Sequence, residues 1–64
     1  MQHLSRSELS AMRDNLRLAD VYLARARGIC ITAGYAAGAA AINALISRIA
    51  HHIARINKAL MTKP

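Results

Sequence analysis

The sequence predicts an all-α fold, an antiparallel two-helix hairpin that dimerises into a four-helix bundle. Apolar residues recur at alternating steps of three and four in two long stretches, the period of a helix that packs one seam against another helix. Only a short segment around one glycine separates the two stretches. The chain has 64 residues and one cysteine, so we expect a second copy, rather than a disulfide, to complete its small core.

Helix 1 is expected over about residues 6–32. Ser5 and Glu8 have the spacing of a capping box, in which each residue satisfies a free backbone donor of the other. A second apolar arc lies about 100° round the helix from the seam, and an arc this wide suits a helix with two neighbours. The large residues of the predicted seam on this helix are Leu9, Met12, Leu16 and Leu23.

A tight turn is expected at about residues 33–36, because Gly34 accepts the positive φ that commonly ends a helix. Helix 2 follows over about residues 36–61. Its first residues are Ala and Gly only, which lets two backbones approach closely near the turn. The large residues of its predicted seam are Ile42, Ile46, Ile49, Ile53, Ile56 and Leu60.

A turn centred on Gly34 also predicts which residues of the two helices face each other. Small side chains would then lie opposite large ones, which keeps the distance between the helices even. The same register brings acidic residues of helix 1 near arginines of helix 2. The expected pairs are Ala19 with Ile49, Ala26 with Ile42, Asp20 with Arg48, and Asp14 with Arg55.

The whole chain, residues 1–64, is expected to form one domain with frayed ends at residues 1–4 and 62–64. A single hairpin cannot cover both the seam and the second apolar arc of helix 1. We therefore expect a homodimer. A hetero-oligomer, in which a partner helix replaces the second hairpin, remains open, as does the choice of faces that pair.

Positive charge is concentrated in the later part of the chain. The net charge is +6, and residues 21–64 contain six Lys or Arg and no acid. Such a surface attracts nucleic acid, acidic proteins or anionic lipid. Helix 2 carries what we name the basic stripe, although no aromatic residue lies on it to stack on bases. The basic stripe consists of Arg48, His51, Arg55 and Lys58.

A second candidate surface lies on helix 1, and we name it the docking patch. It combines exposed apolar residues with an aromatic residue and an arginine, the types that dominate protein interfaces. We therefore expect a small non-enzymatic regulator or adaptor that binds a partner protein, as an inhibitor, anti-activator or chaperone would. The alternative is a nucleic-acid-binding dimer that uses the basic stripe. The docking patch consists of Leu18, Val21, Tyr22 and Arg25.

The sequence offers little evidence for catalysis, metal binding or cofactor binding. The three acids stand six apart and face different directions, so no catalytic carboxylate pair is expected, and no enzyme. His51 and His52 are neighbours that point about 100° apart on a helix, so no metal site is expected. No glycine-rich phosphate loop suggests a cofactor.

A membrane-associated helix is the least favoured interpretation. The uncharged run between Arg27 and Arg48 is long enough to span a bilayer but consists mainly of Ala, Gly and polar residues. The single cysteine and the polar N-terminus predict a cytoplasmic protein.

Overall fold

The structure is a computed structural model that describes residues 4–62. They form two helices, α1 (Arg6–Thr32, 27 residues) and α2 (Ala36–Met61, 26 residues), which pack against each other along their length. The hairpin measures 48 × 16 × 15 Å. The predicted all-α hairpin and both predicted helix ranges are confirmed.

The capping box at the start of α1 forms as predicted. The Ser5 hydroxyl accepts a hydrogen bond from the Glu8 backbone N–H at 3.1 Å, and the Ser5 N–H donates to a Glu8 carboxylate oxygen at 2.9 Å. These bonds satisfy donors that a helix start leaves free. The backbone N–H of Ser5, followed by its hydroxyl, lowers the pKa of Glu8 below its ordinary value.

The turn is a Schellman motif built on the expected glycine. Gly34 has φ +74°, and it is the one positive φ among the described residues. The Tyr35 N–H donates to the Cys30 carbonyl at 2.8 Å, and the Gly34 N–H donates to the Ile31 carbonyl at 3.1 Å. Both bonds satisfy carbonyls at the end of α1, whereas α2 begins without a side-chain cap.

Tyr35 packs its ring against the backbone of α2 at Gly38. A β-carbon added at Gly38 would lie 2.5 Å from two atoms of the Tyr35 ring and 3.1 Å from the Cys30 sulfur. Only a glycine therefore leaves room for the ring in this position. Gly28 differs, since a β-carbon there would meet nothing within 4 Å.

The apolar seam forms the core, but one hairpin buries it only in part. Ile56, Leu9 and Ala39 are the buried apolar residues among those described, and Ile56 is fully buried. Met12 lies outside the hairpin core, with 39% of its surface exposed. Its predicted place in a dimer seam stays a prediction. The half-buried seam residues are Leu16, Leu23, Ile42, Ile46, Ile49, Ile53 and Leu60.

One edge of the hairpin is closed by charged residues of α1 that recur every seven positions, and we name it the arginine edge. Arg27 donates to the Asn43 side chain at 2.9 Å, and Arg13 donates to the Asn57 side chain at 3.5 Å. These pairs agree with the predicted register to within about one residue per helix. The arginine edge consists of Arg6, Arg13, Asp20 and Arg27.

The predicted ion pairs between the helices do not form. Among residues 4–62 the ion pair present joins Arg13 to Asp14, two neighbours on α1, at 3.5 Å. Asp14 therefore does not pair with Arg55, nor Asp20 with Arg48. The reason is that both arginines lie on the outward face of α2, whereas asparagines occupy the positions beside α1.

The chain ends are described only in part. Leu4 is half-buried. The Thr62 hydroxyl donates to the Lys58 carbonyl at 2.9 Å, and the Arg6 guanidinium donates to the Leu60 carbonyl, so both help to satisfy the last carbonyls of α2. The rest of the expected fraying concerns residues 1–3 and 63–64, which lie outside the described residues. Within residues 4–62, no helix combines the length and apolarity that crossing a bilayer requires.

Candidate binding surfaces

The docking patch lies on the outer face of α1. Leu18, Val21 and Tyr22 are exposed by 54%, 48% and 58% respectively, and Arg25 is exposed as well. Steps of three and four residues place these side chains on one arc of the helix. That arc points away from the seam with α2, so the hairpin itself uses none of the four side chains for its core.

Two members of the docking patch interact with each other. The Arg25 guanidinium carbon lies 5.6 Å from the centroid of the Tyr22 ring. A cation–π contact of this kind contributes about 0.5–1 kcal/mol at an exposed site. The contact holds an aromatic ring and a positive charge side by side above the apolar residues, where a partner could meet both at once.

A shallow groove continues the docking patch toward the turn. It has a volume of about 560 Å³ and is lined by Arg25, Gly28, Ile29, Thr32 and Ala33. Gly28 forms its floor because it has no side chain, and Ile29 is 70% exposed beside it. Sequence reasoning missed this groove. The signal was a glycine inside an otherwise regular helical pattern, which lowers helix stability and leaves open space on the helix surface.

The basic stripe lies on the opposite side of the hairpin, on the outer face of α2. Arg48, His51, Arg55 and Lys58 are all exposed, and they extend over about 15 Å of helix. None of them forms an ion pair among residues 4–62, where the recorded ion pair joins Asp14 to Arg13. Arg55, Lys58, Ala59 and Thr62 also line an open notch of about 420 Å³ at the end of the basic stripe.

The two histidines of α2 are in edge-to-face contact. The rings of His51 and His52 are 5.9 Å apart with an interplanar angle of 68°. In the part of the chain that the structure describes, no three His, Cys, Asp or Glu residues cluster as metal ligands would. Cys30 is half-buried beside Gly38 and Tyr35, where it acts as a small packing residue.

No protein-family model, curated protein or solved structure matches this chain. The fold and its surfaces therefore carry the functional argument alone. They define a helical hairpin with two exposed surfaces of different chemistry, one apolar and aromatic on α1 and one cationic on α2.

Proposed function

We propose that this protein is a small non-enzymatic regulator or adaptor, a homodimer that binds a partner protein through the docking patch. The observation that carries the proposal is the Arg25–Tyr22 pair, held 5.6 Å apart on an exposed apolar face. Aromatic and arginine residues supply most of the binding energy in protein interfaces. A pair that is already assembled loses less conformational entropy when a partner binds.

A binding role also fits the positions of the three acidic residues, which all lie outside the docking patch. Glu8 is engaged in the capping box with Ser5, and Asp14 is paired with Arg13. Asp20 lies on the arginine edge, far round the helix from the docking patch. The chain therefore offers its partner an apolar, positively charged surface, and we expect stoichiometric binding, as by an inhibitor, anti-activator or chaperone. The lone cysteine favours the reducing cytoplasm as its compartment.

The test is affinity capture with the tagged protein from its native cells, followed by quantitative mass spectrometry. We expect a partner that wild-type protein retains and that Tyr22→Ala and Arg25→Glu both lose. Ser47→Ala, an exposed change on α2, serves as the control and should retain the partner. Circular dichroism and sedimentation must show that the variants keep their helicity and mass. A partner retained by both docking-patch variants would contradict the proposal.

A second candidate function is nucleic-acid binding, and the unpaired charge of the basic stripe favours it. Each phosphate contact that displaces a counterion steepens the salt dependence of binding. With Arg48, Arg55 and Lys58 engaged, we expect log affinity against log salt to fall with a slope of about −2.7 per protomer. Fluorescence anisotropy with labelled duplex RNA and DNA between about 50 and 200 mM salt measures this slope. Loss of binding at the upper salt, with no effect of Arg55→Glu, would exclude this function.

A further inference from the structure

We propose that a second copy of this chain covers one particular side of the hairpin, which we name the apolar side. This inference rests on the proposed homodimer and specifies its interface. Residues of both helices form the apolar side, and it lies opposite the arginine edge. The apolar side consists of Met12, Ala19, Ala26 and Leu45.

The two sides of α1 follow from neighbouring positions of one seven-residue repeat. Leu9, Leu16 and Leu23 point toward α2 in the middle of the contact. Each residue of the apolar side on α1 is followed directly by a residue of the arginine edge, so the two sets lie about 100° apart and flank the leucines. The neighbouring pairs are Met12 and Arg13, Ala19 and Asp20, and Ala26 and Arg27.

Helix α2 divides in the same way. Asn43 lies at the arginine edge, since its side chain accepts the hydrogen bond from Arg27. Leu45 follows two positions later, about 200° round the helix, and therefore lies on the other side of the seam. Leu45 is 46% exposed. Met12 on α1 and Leu45 on α2 thus both leave apolar surface uncovered on the same side of the hairpin.

The arginine edge is a poor site for a second copy. There Arg13 and Arg27 already bond to Asn57 and Asn43 and extend their chains over the seam. Burying these charged groups would remove water from them without supplying new partners. The apolar side carries no charge on its four residues. Its alanines also allow the close approach, about 8–10 Å between axes, that packed helices adopt.

The exposed area indicates how much surface a partner must cover. The hairpin exposes 4895 Å², whereas a compact monomer of 6.9 kDa exposes about 4000 Å². The excess of about 900 Å² is close to the roughly 800 Å² that each partner buries in a standard stable interface. A second copy on the apolar side would remove this excess and would also cover the open side of the half-buried seam.

This arrangement leaves most of both binding surfaces free. The outer faces of α1 and α2 stay uncovered, but one edge of each surface borders the apolar side. Tyr22 lies three residues from Ala19, and Arg48 lies three residues from Leu45, so both stand at the rim of the interface. The dimer would therefore present each surface twice. Two linked copies of a binding surface strengthen binding to a partner that can engage both.

The test measures how fast a thiol at each position is modified as the protein concentration rises. Leu45→Cys reports on the apolar side and Ala54→Cys on an exposed position of α2 outside it, both in a Cys30→Ala background. Both changes are small, so the hairpin is expected to keep its fold, and circular dichroism checks it. Sedimentation of the same samples follows the change from 6.9 kDa to twice that mass.

We expect the Leu45→Cys thiol to react at least about tenfold more slowly once the dimer forms, as burial in an interface excludes the reagent. The Ala54→Cys thiol should react at a constant rate. A dimer in which both thiols stay equally reactive would overturn the proposed interface while leaving the homodimer intact. A chain that sediments at 6.9 kDa at every concentration would overturn both the interface and the proposed homodimer.

Discussion

Residues of the arginine edge and of the apolar side lie next to each other along α1, yet only the arginine edge has partners within the hairpin. On the arginine edge, Arg13 and Arg27 find asparagine partners on α2 within the chain, although the Arg13 Nε makes no hydrogen bond. The apolar side has no such partner, and Met12 and Leu45 remain partly exposed there. The difference teaches that a two-helix protein can complete one side of its seam by itself. The other side needs a binding partner to cover it.

The seam that both sides share should show the largest effect. Ile56 is fully buried, so Ile56→Ala should lower the free energy of unfolding by about 2–5 kcal/mol through lost burial and a cavity. Met61→Ala is the control, because Met61 is 82% exposed and its truncation should change stability by less than about 0.5 kcal/mol. Urea unfolding followed by circular dichroism measures both. Equal effects would show that the two helices do not pack as described.

Two glycines give a second comparison, at the turn end of the hairpin. Gly38→Ala should destabilise the protein by up to about 1 kcal/mol, because the new methyl group displaces the Tyr35 ring, which is 61% exposed and can move, and this cost is partly offset by alanine's helix propensity. Gly28→Ala meets nothing within 4 Å and should stabilise α1 by about 0.5–1 kcal/mol. Thermal unfolding of the two variants measures the difference. If both variants gain stability, Tyr35 does not pack on α2.

The arginine edge itself can be tested by a double-mutant cycle. Arg27→Ala and Asn43→Ala should each cost about 1 kcal/mol, and the double variant less than their sum, because the two side chains bond at 2.9 Å. The pair of Arg13 and Asn57, at 3.5 Å, should show weaker coupling. Additive single effects at Arg27 and Asn43 would mean that the arginine edge is not closed within the chain.

The smallest effect concerns pH. The pKa of Glu8 is lower in the folded chain than in the unfolded one, so the deprotonated form favours folding. This contribution is present above the ordinary pKa of glutamate and is lost as pH falls through the lowered value. Ser5→Ala removes the hydroxyl that accepts a hydrogen bond from the Glu8 backbone N–H and should reduce stability at neutral pH by about 1 kcal/mol.

The predicted loss of stability at acidic pH should be tested by comparing the unfolding of wild type and Glu8→Gln at neutral and acidic pH. Wild type should lose more stability than Glu8→Gln on acidification, because only wild type carries the titrating carboxylate. An identical loss in both proteins would place the pH dependence elsewhere in the chain.

The sequence was sufficient to predict the helices because their signals are local. The capping box and the turn form through bonds between residues a few positions apart, at Ser5, Glu8 and Gly34. The isoleucines of α2 all lie on one side of the helix, so the face that points inward is unambiguous. On α1 the inward face was harder to predict. Leu9, Leu16 and Leu23 can be flanked by small residues on one side or by charged ones on the other, and periodicity favoured the small residues.

Long side chains explain why charged residues also line the seam. Arg13 and Arg27 can lie along the seam with their stems and still reach polar partners with their ends. The same pairs explain why the predicted ion pairs were wrong, since asparagine partners do not appear in a charge pattern. The docking patch and the basic stripe are exposed as predicted. The groove at Gly28 was not predicted, because it arises where a side chain is absent.

The most direct test of a dimer closed through the apolar side is sedimentation equilibrium of wild type and of Leu45→Glu. We predict that wild type has twice the 6.9 kDa mass of the chain. Leu45→Glu should dimerise at least about 100-fold more weakly, because it would bury an unpaired charge. Ile31→Glu, an exposed change on the side of the arginine edge, should leave the dimer intact. A dimer that tolerates Leu45→Glu and is broken by Ile31→Glu would contradict this interface.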